Sequence, residues 1–185
     1  DGPVFVAGDS AGGNLTLALI AWLRDEERRG TPRLRQVDGA MALSPLTDAT
    51  FASPSMRYNQ DQDPMLGPMA RLILRFPRPL MLWSSWLQNR IPPSSPAVSP
   101  VRGALEGLPP VLVQASEAEI LIDDARRYVN KACHCGAPAS LETWHGMVHV
   151  WQAFGPQLPE SEQAFARLAD FVKRVRESRG RADAA

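Results

Sequence analysis

Long apolar runs are missing from this 185-residue sequence, and none approaches the ~18–20 residues of a membrane-spanning helix. Net charge is missing as well: 20 Lys and Arg balance 20 Asp and Glu, with no basic stripe locally. A neutral chain without such a stripe has no electrostatic hold on nucleic acid. Cysteine is scarce. Cys133 and Cys135 are one residue apart, a poor spacing for a relaxed disulfide, and no further ligand at zinc spacing accompanies them. A metal site is therefore not expected. There is no internal repeat, no initial Met and no signal peptide, which leaves localisation open, with the cytoplasm as the expectation. What is present is ordinary for a globular protein: 44% hydrophobic and 22% charged residues, enough apolar surface to bury a core. The length suits one domain.

Proline divides the chain. Of its 17 prolines, 12 lie between Pro45 and Pro110, so that stretch cannot be one regular element. It reads as an irregular excursion, about 46–108, between two regular blocks. Before it, Val4–Ala7 has the short apolar pattern of a strand buried on both faces. A glycine-rich turn follows over Gly8–Gly13, then a helix with Leu15, Ala18, Leu19 and Trp22 at helical spacing, closed near Gly30. Asp38–Ser44 is a second strand. Within the excursion, Met69–Leu74 and Leu80–Leu87 have helical patterns. After it come a strand over Val111–Ala115, a helix over Asp123–Ala132 and a strand over Ala139–Trp144. A last helix covers Glu160–Val175, with Phe165, Leu168, Val172 and Val175 expected inward, and 179–185 is expected to be a disordered tail. Strands alternating with helices predict an α/β fold with a mostly parallel sheet and flanking helices. In such a sheet the reactive groups lie at the carboxyl ends of the strands.

Just past the first strand stands Gly8-Asp9-Ser10-Ala11-Gly12, a G-x-S-x-G sequence between a predicted strand and a predicted helix. In that context the serine sits on a strained turn that projects its hydroxyl from the sheet. Gly8 and Gly12 remove side chains that would clash across the turn. The backbone N–H of Ala11, at the head of the helix, becomes an oxyanion-hole donor. A serine nucleophile needs a base, and the base needs an orienting carboxylate. His134 precedes the fourth strand and lies at the wrong end of the sheet, whereas His145 and His149 both follow that strand. Spacing does not separate these two. Among the acids after the third strand, Glu119 has the favoured position and Asp123 is the alternative acid, because acids in a first helical turn are common without any catalytic role. The order Ser, acid, His is that of α/β-hydrolases.

Gly8-Asp9-Ser10-Ala11-Gly12-Gly13-Asn14-Leu15 resembles the nucleophile elbow of the hormone-sensitive lipase family of esterases, the bacterial family IV carboxylesterases. Leu43-Ser44-Pro45-Leu46-Thr47-Asp48, Asp63-Pro64-Met65-Leu66 and Ser99-Pro100-Val101 resemble further pieces of that family. So do Leu108–Val113 with Glu119–Ala125, and Gly146-Met147-Val148-His149-Val150-Trp151-Gln152. The resemblance implies an α/β-hydrolase fold and hydrolysis of short- to medium-chain acyl esters through Ser10, His149 and Glu119, with no cofactor. It assigns the histidine to His149 rather than His145, which becomes a surface or supporting residue. It assigns the acid to Glu119, 30 residues earlier. Many members carry Asp there, and the departure keeps Asp123 as the alternative. Met65, Leu66, Trp83 and Trp86 are candidates for an acyl pocket or cover, with packing of the excursion helices the plainer reading.

The family's HGGG-type oxyanion motif, and the strands that precede its elbow, have no counterpart here. The chain is expected to be the C-terminal part of one catalytic domain, covering 1–178, poorly active or inactive in isolation. The expected partner is a small-molecule ester, with a homodimer compatible with the sequence. Two other readings follow: an amidase or lactonase on the same fold, and a catalytically impaired relative serving as a binding module.

Overall fold

A computed structural model describes residues 2–32 and 34–183. The elements alternate as the sequence predicts. Strand β1 (Phe5–Asp9) leads into helix α1 (Ala11–Arg28), and β2 (Gly39–Leu43) enters the excursion. There α2 (Ser55–Tyr58), α3 (Gly67–Ile73) and α4 (Arg78–Asn89) are short helices between prolines. The second block is β3 (Val111–Ser116), α5 (Ile122–His134), β4 (Ala139–Trp144) and α6 (Pro159–Asp183). The four strands form one parallel sheet in the order β1-β2-β3-β4, with Asp9 opposite Leu43, Leu43 opposite Gln114 and Ser116 opposite Trp144.

The sheet is covered on both faces, as a parallel sheet requires. Side chains alternate along a strand. Ala40, Ala42, Val111 and Val113 therefore meet Leu17 and Ile20 of α1 and Ala125, Tyr128 and Val129 of α5. Met41 and Leu112 point the other way, against Phe171 and Val175 of α6. All six residues of β3 are buried, and β2 is nearly so. β1, expected to be buried on both faces, is only partly covered, because among the described residues it pairs with β2 alone.

Three helical details differ from the sequence reading. The stripe Leu15, Leu19 and Trp22 is the exposed face of α1, and the helix packs instead through Leu17, Ile20 and Leu23. Both stripes are apolar, so periodicity alone does not choose between them. In α6 Phe165 is exposed, whereas Phe171, one residue short of two turns later, fills the core with Val175. The same helix runs on to Asp183, through residues expected in a tail; Ala184 and Ala185 lie outside the described residues.

The excursion is anchored where it passes over the loop after β3. Met56 and Ala70 pack on Ile120 and Leu121, with Leu46, Phe51, Leu66 and Leu74 partly buried around them. α4 contributes no buried residue, and Met65, Trp83 and Trp86 are exposed.

Candidate active site

The first strand ends in a turn that only a few backbone conformations permit. Ser10 has φ 51° and ψ −114°, a strained geometry for a residue with a side chain. Its amide donates to the Leu43 carbonyl (2.8 Å), and its carbonyl accepts from Asn14 N (3.1 Å), the first bond of α1. The chain turns so tightly that a Cβ on Gly8 would lie 2.4 Å from the Gly12 carbonyl oxygen, and one on Gly13 would lie 2.9 Å from Pro45 Cβ. Gly12, expected to serve the same steric end, has no such constraint: its Cβ would find only an Asp9 carboxylate oxygen, at 3.8 Å. Ala11 is the first residue of α1 and is exposed, so its N–H has no intrahelical acceptor. Asn14, one turn on, ties α1 to the excursion by donating to the Leu46 (2.7 Å) and Val98 (2.9 Å) carbonyls.

At the same end of the sheet, His149 and Glu119 meet. His149 Nδ1 lies 2.8 Å from Glu119 Oε2, and both side chains are buried. A carboxylate only accepts, so the neutral imidazole that pairs with it this way has its proton on Nδ1 and its lone pair on Nε2. Glu119 Oε1 accepts from the Ser116 amide (2.8 Å) and the Ser44 hydroxyl (2.7 Å). The Ser10 hydroxyl makes no hydrogen bond among the described residues, so the structure joins the acid to the histidine but does not close a bond from histidine to serine.

The other candidates lie elsewhere. His145 is almost fully exposed and pairs with Glu117 (3.2 Å); that contact, with Thr143, holds the Glu117 carboxyl below its ordinary value. His134 ends α5, before β4. The Asp123 carboxylate accepts from Ser55 N (3.0 Å) and Tyr58 OH (2.9 Å) and pairs with Arg126 (3.2 Å), which commits it to α2 rather than to His149. Among the described residues no group of His, Cys, Asp and Glu is arranged to hold a metal ion.

The acid loop is held by residues that no catalytic motif in the sequence marks as functional. Asn59 Nδ2 donates to the Glu117 and Glu119 carbonyls (2.8 Å each), and Asp63 Oδ2 accepts from Ile120 N (3.0 Å). Ser55 Oγ donates to the Ile120 carbonyl (2.6 Å). The excursion thus clamps the backbone on both sides of Glu119. Ser44 and Asp63 both fell within segments that resemble the esterase family, which is the one signal in the sequence that marks them.

A second polar cluster lies beneath the start of the excursion. Buried Asp124 accepts from the Thr47 (2.6 Å) and Asp48 (2.9 Å) amides and from the Ser53 hydroxyl. Burial, with help from the Asp48 charge, pushes its carboxyl up to about 6. Asp48 is also buried, but Arg102, Thr50 and Arg127 more than offset that burial and hold its carboxyl at about 2. Beside the histidine loop, Gly146, Met147, Val148, Phe154, Gln157 and Leu158 line a cavity of about 290 Å³ that is apolar apart from Gln157.

A parallel sheet with a serine on a positive-φ turn between strand and helix, and a buried carboxylate–imidazole pair at the same sheet end, defines the α/β-hydrolase class. The chain belongs to the alpha/beta hydrolase fold family, whose model matches residues 1–153. It is similar to an esterase of Acinetobacter venetianus (35% identity, 91% of this chain and 51% of that protein). It is also similar to an acetyl-hydrolase of Streptomyces hygroscopicus (34% identity, 93% and 52%). Among solved structures, it resembles the esterase EstE5 soaked with p-nitrophenyl butyrate, at TM-score 0.76 and 34% identity over 92% of this chain and 52% of that one. It likewise resembles an esterase of the bacterial hormone-sensitive lipase family, at TM-score 0.74 and 34% identity over the same shares. The chain spans about half the length of the curated relatives it matches.

Proposed function

We propose that the protein is a carboxylic ester hydrolase for short- to medium-chain acyl esters, with Ser10 as nucleophile, His149 as base and Glu119 as orienting acid. The observation that carries this reading is the buried 2.8 Å bond from His149 Nδ1 to Glu119, at the sheet end that bears the strained Ser10 turn. The esterase names of the relatives, and the butyrate ester soaked into EstE5, support the substrate class.

The chemistry follows from these groups. Ser10 Oγ attacks the ester carbonyl carbon while its proton passes to His149 Nε2. The Glu119 carboxylate stabilises the imidazolium so formed. The Ala11 N–H meets the oxygen that becomes negative. As the tetrahedral intermediate collapses, the proton leaves with the alcohol and the acyl group stays on Ser10. Water, deprotonated by the same imidazole, then releases the acid. The lack of a Ser10–His149 hydrogen bond among the described residues suits a resting site, since catalytic hydrogen bonds often tighten only around substrate.

The test is hydrolysis of p-nitrophenyl acetate and butyrate, beside labelling with a fluorophosphonate, which reports an activated serine apart from turnover. Ser10→Ala is expected to lose the adduct and to lower kcat by at least about a thousandfold. Turnover or labelling that persists in Ser10→Ala overturns the proposal. An amide or lactone hydrolysed faster than either ester would move the reading to that substrate class.

A further inference from the structure

Five non-glycine residues among those described adopt positive φ: Ser10, Ser44, Phe51, Arg90 and Val150. Three of them gather at one end of the sheet. Ser10 is the elbow serine, Ser44 is the first residue after β2, and Val150 follows His149. Such conformations cost of order 1–3 kcal/mol each and persist where the surroundings enforce them, typically around reacting groups. For Val150 the cost is aggravated by its branched Cβ.

Ser44 joins the other two. Its backbone continues from Leu43, whose carbonyl holds the Ser10 amide at 2.8 Å, and its own amide donates to the Gln114 carbonyl (2.7 Å). Its hydroxyl donates to Glu119 Oε1 at 2.7 Å and accepts from Val150 N at 3.4 Å. The side chain is fully buried, so neither bond competes with water. One hydroxyl therefore touches the carboxylate on the oxygen that does not face the imidazole, and also the backbone immediately after the histidine.

We propose that Ser44 is a positioning residue for the hydrolysis. By fixing Glu119 Oε1 and Val150 N together, it sets the angle at which Glu119 Oε2 presents to His149 Nδ1. The positive φ of Ser44 is the backbone cost of aiming that hydroxyl between the acid loop and the histidine loop. Without it, Glu119 keeps only the Ser116 amide on Oε1 and is free to rotate, and the imidazole loses the fixed partner that orients it. This rests on the reading of Glu119 and His149 as acid and base.

The experiment compares Ser44→Gly and Ser44→Ala with the wild type. Both lack the hydroxyl, but glycine relaxes the positive φ and alanine keeps the strain. If Ser44 positions the acid, both variants lower kcat roughly tenfold with KM little changed, because one hydrogen bond to a buried charge is lost. The low-field proton resonance of His149 Nδ1–H also broadens or moves upfield in both, a signature independent of turnover. Thermal unfolding is expected to place Ser44→Gly at or above Ser44→Ala and both midpoints above the assay temperature, so that a fall in kcat is not a loss of folded protein. Wild-type kcat together with an unchanged Nδ1–H resonance in Ser44→Gly overturns the proposal. The underlying reading fails separately, through Ser10→Ala or Glu119→Gln retaining activity.

Discussion

Space around a single atom decides what the elbow tolerates. A Cβ on Gly8 would lie 2.4 Å from the Gly12 carbonyl oxygen and 2.8 Å from Thr16 Oγ1, and the first of these is backbone that cannot swing aside. Relief would require the start of α1 to move away from β1, displacing Ser10 with it. Gly12 sits in the open, with its nearest contact at 3.8 Å. Gly8→Ala is therefore expected to abolish fluorophosphonate labelling and to lower the unfolding midpoint, by on the order of 1–3 kcal/mol of overpacking. Gly12→Ala, read by the same two measurements, should stay close to wild type. Equal damage from both would show that the two glycines act through conformational freedom and not through contact. The G-x-S-x-G spacing announces that a tight turn exists, but both glycines look alike in the sequence. Which one lies against backbone depends on how α1 leaves the strand, and that is set by packing on β2 and Pro45. Ser44 was hidden for a related reason. A serine before a proline has many ordinary uses, and nothing local reveals a carboxylate 75 residues away.

At the scale of elements, the regular blocks were legible because each strand is a short apolar run bounded by turn residues, and each helix repeats at 3.6. The excursion was legible as an interruption that carries two helical patterns, those of α3 and α4. Its work is done by Ser55, Asn59 and Asp63, polar residues bonded to backbone groups 57–65 positions away, and such long-range pairs leave no periodic trace. The joint between the excursion and α5 carries a pH dependence of its own. Asp124 holds residues 47–53 against α5, and its carboxyl is raised to about 6 from an ordinary 3.8. A carboxyl raised in the folded state favours folding most when protonated. Its contribution is complete below about pH 4 and is lost as pH rises through 6, by on the order of 3 kcal/mol. Asp48, held at about 2, works oppositely and in a lower window: its contribution is present above about pH 4 and is lost as pH falls through 2. Urea unfolding between pH 4 and 7 thus separates Asp124 from Asp48. Asp124→Asn, which keeps the shape and an acceptor for the two amides, should gain stability relative to wild type as pH rises across that interval. A difference between the two proteins that does not vary with pH would refute the assignment.

For the whole molecule the arrangement of apolar surface matters more than its amount. α1 carries two apolar stripes, and a helix apolar on most sides is normally enclosed. Here Leu17, Ile20 and Leu23 enter the core while Leu15 (68% exposed), Leu19 and Trp22 (49%) face outward. β1, beside it, pairs with β2 alone among the described residues and presents an open strand edge. Leu80, Trp83, Trp86 and Leu87 of α4 add a second exposed apolar face. Unpaired edges and apolar patches of this kind promote association. The neutral net charge offers no long-range repulsion to oppose it. The 185-residue chain is therefore expected to self-associate at micromolar concentrations, with light scattering after size exclusion giving a mass that rises with loading. Leu15→Lys combined with Trp22→Lys places charge on the exposed stripe without touching Leu17 or Ile20. It should return the mass toward that of a monomer and leave the unfolding midpoint nearly unchanged. A mass that stays high in this variant but falls when Trp83 and Trp86 are replaced by Lys would move the sticky surface from α1 to α4. A wild-type chain that stays monomeric at all loadings would show that neither face drives association.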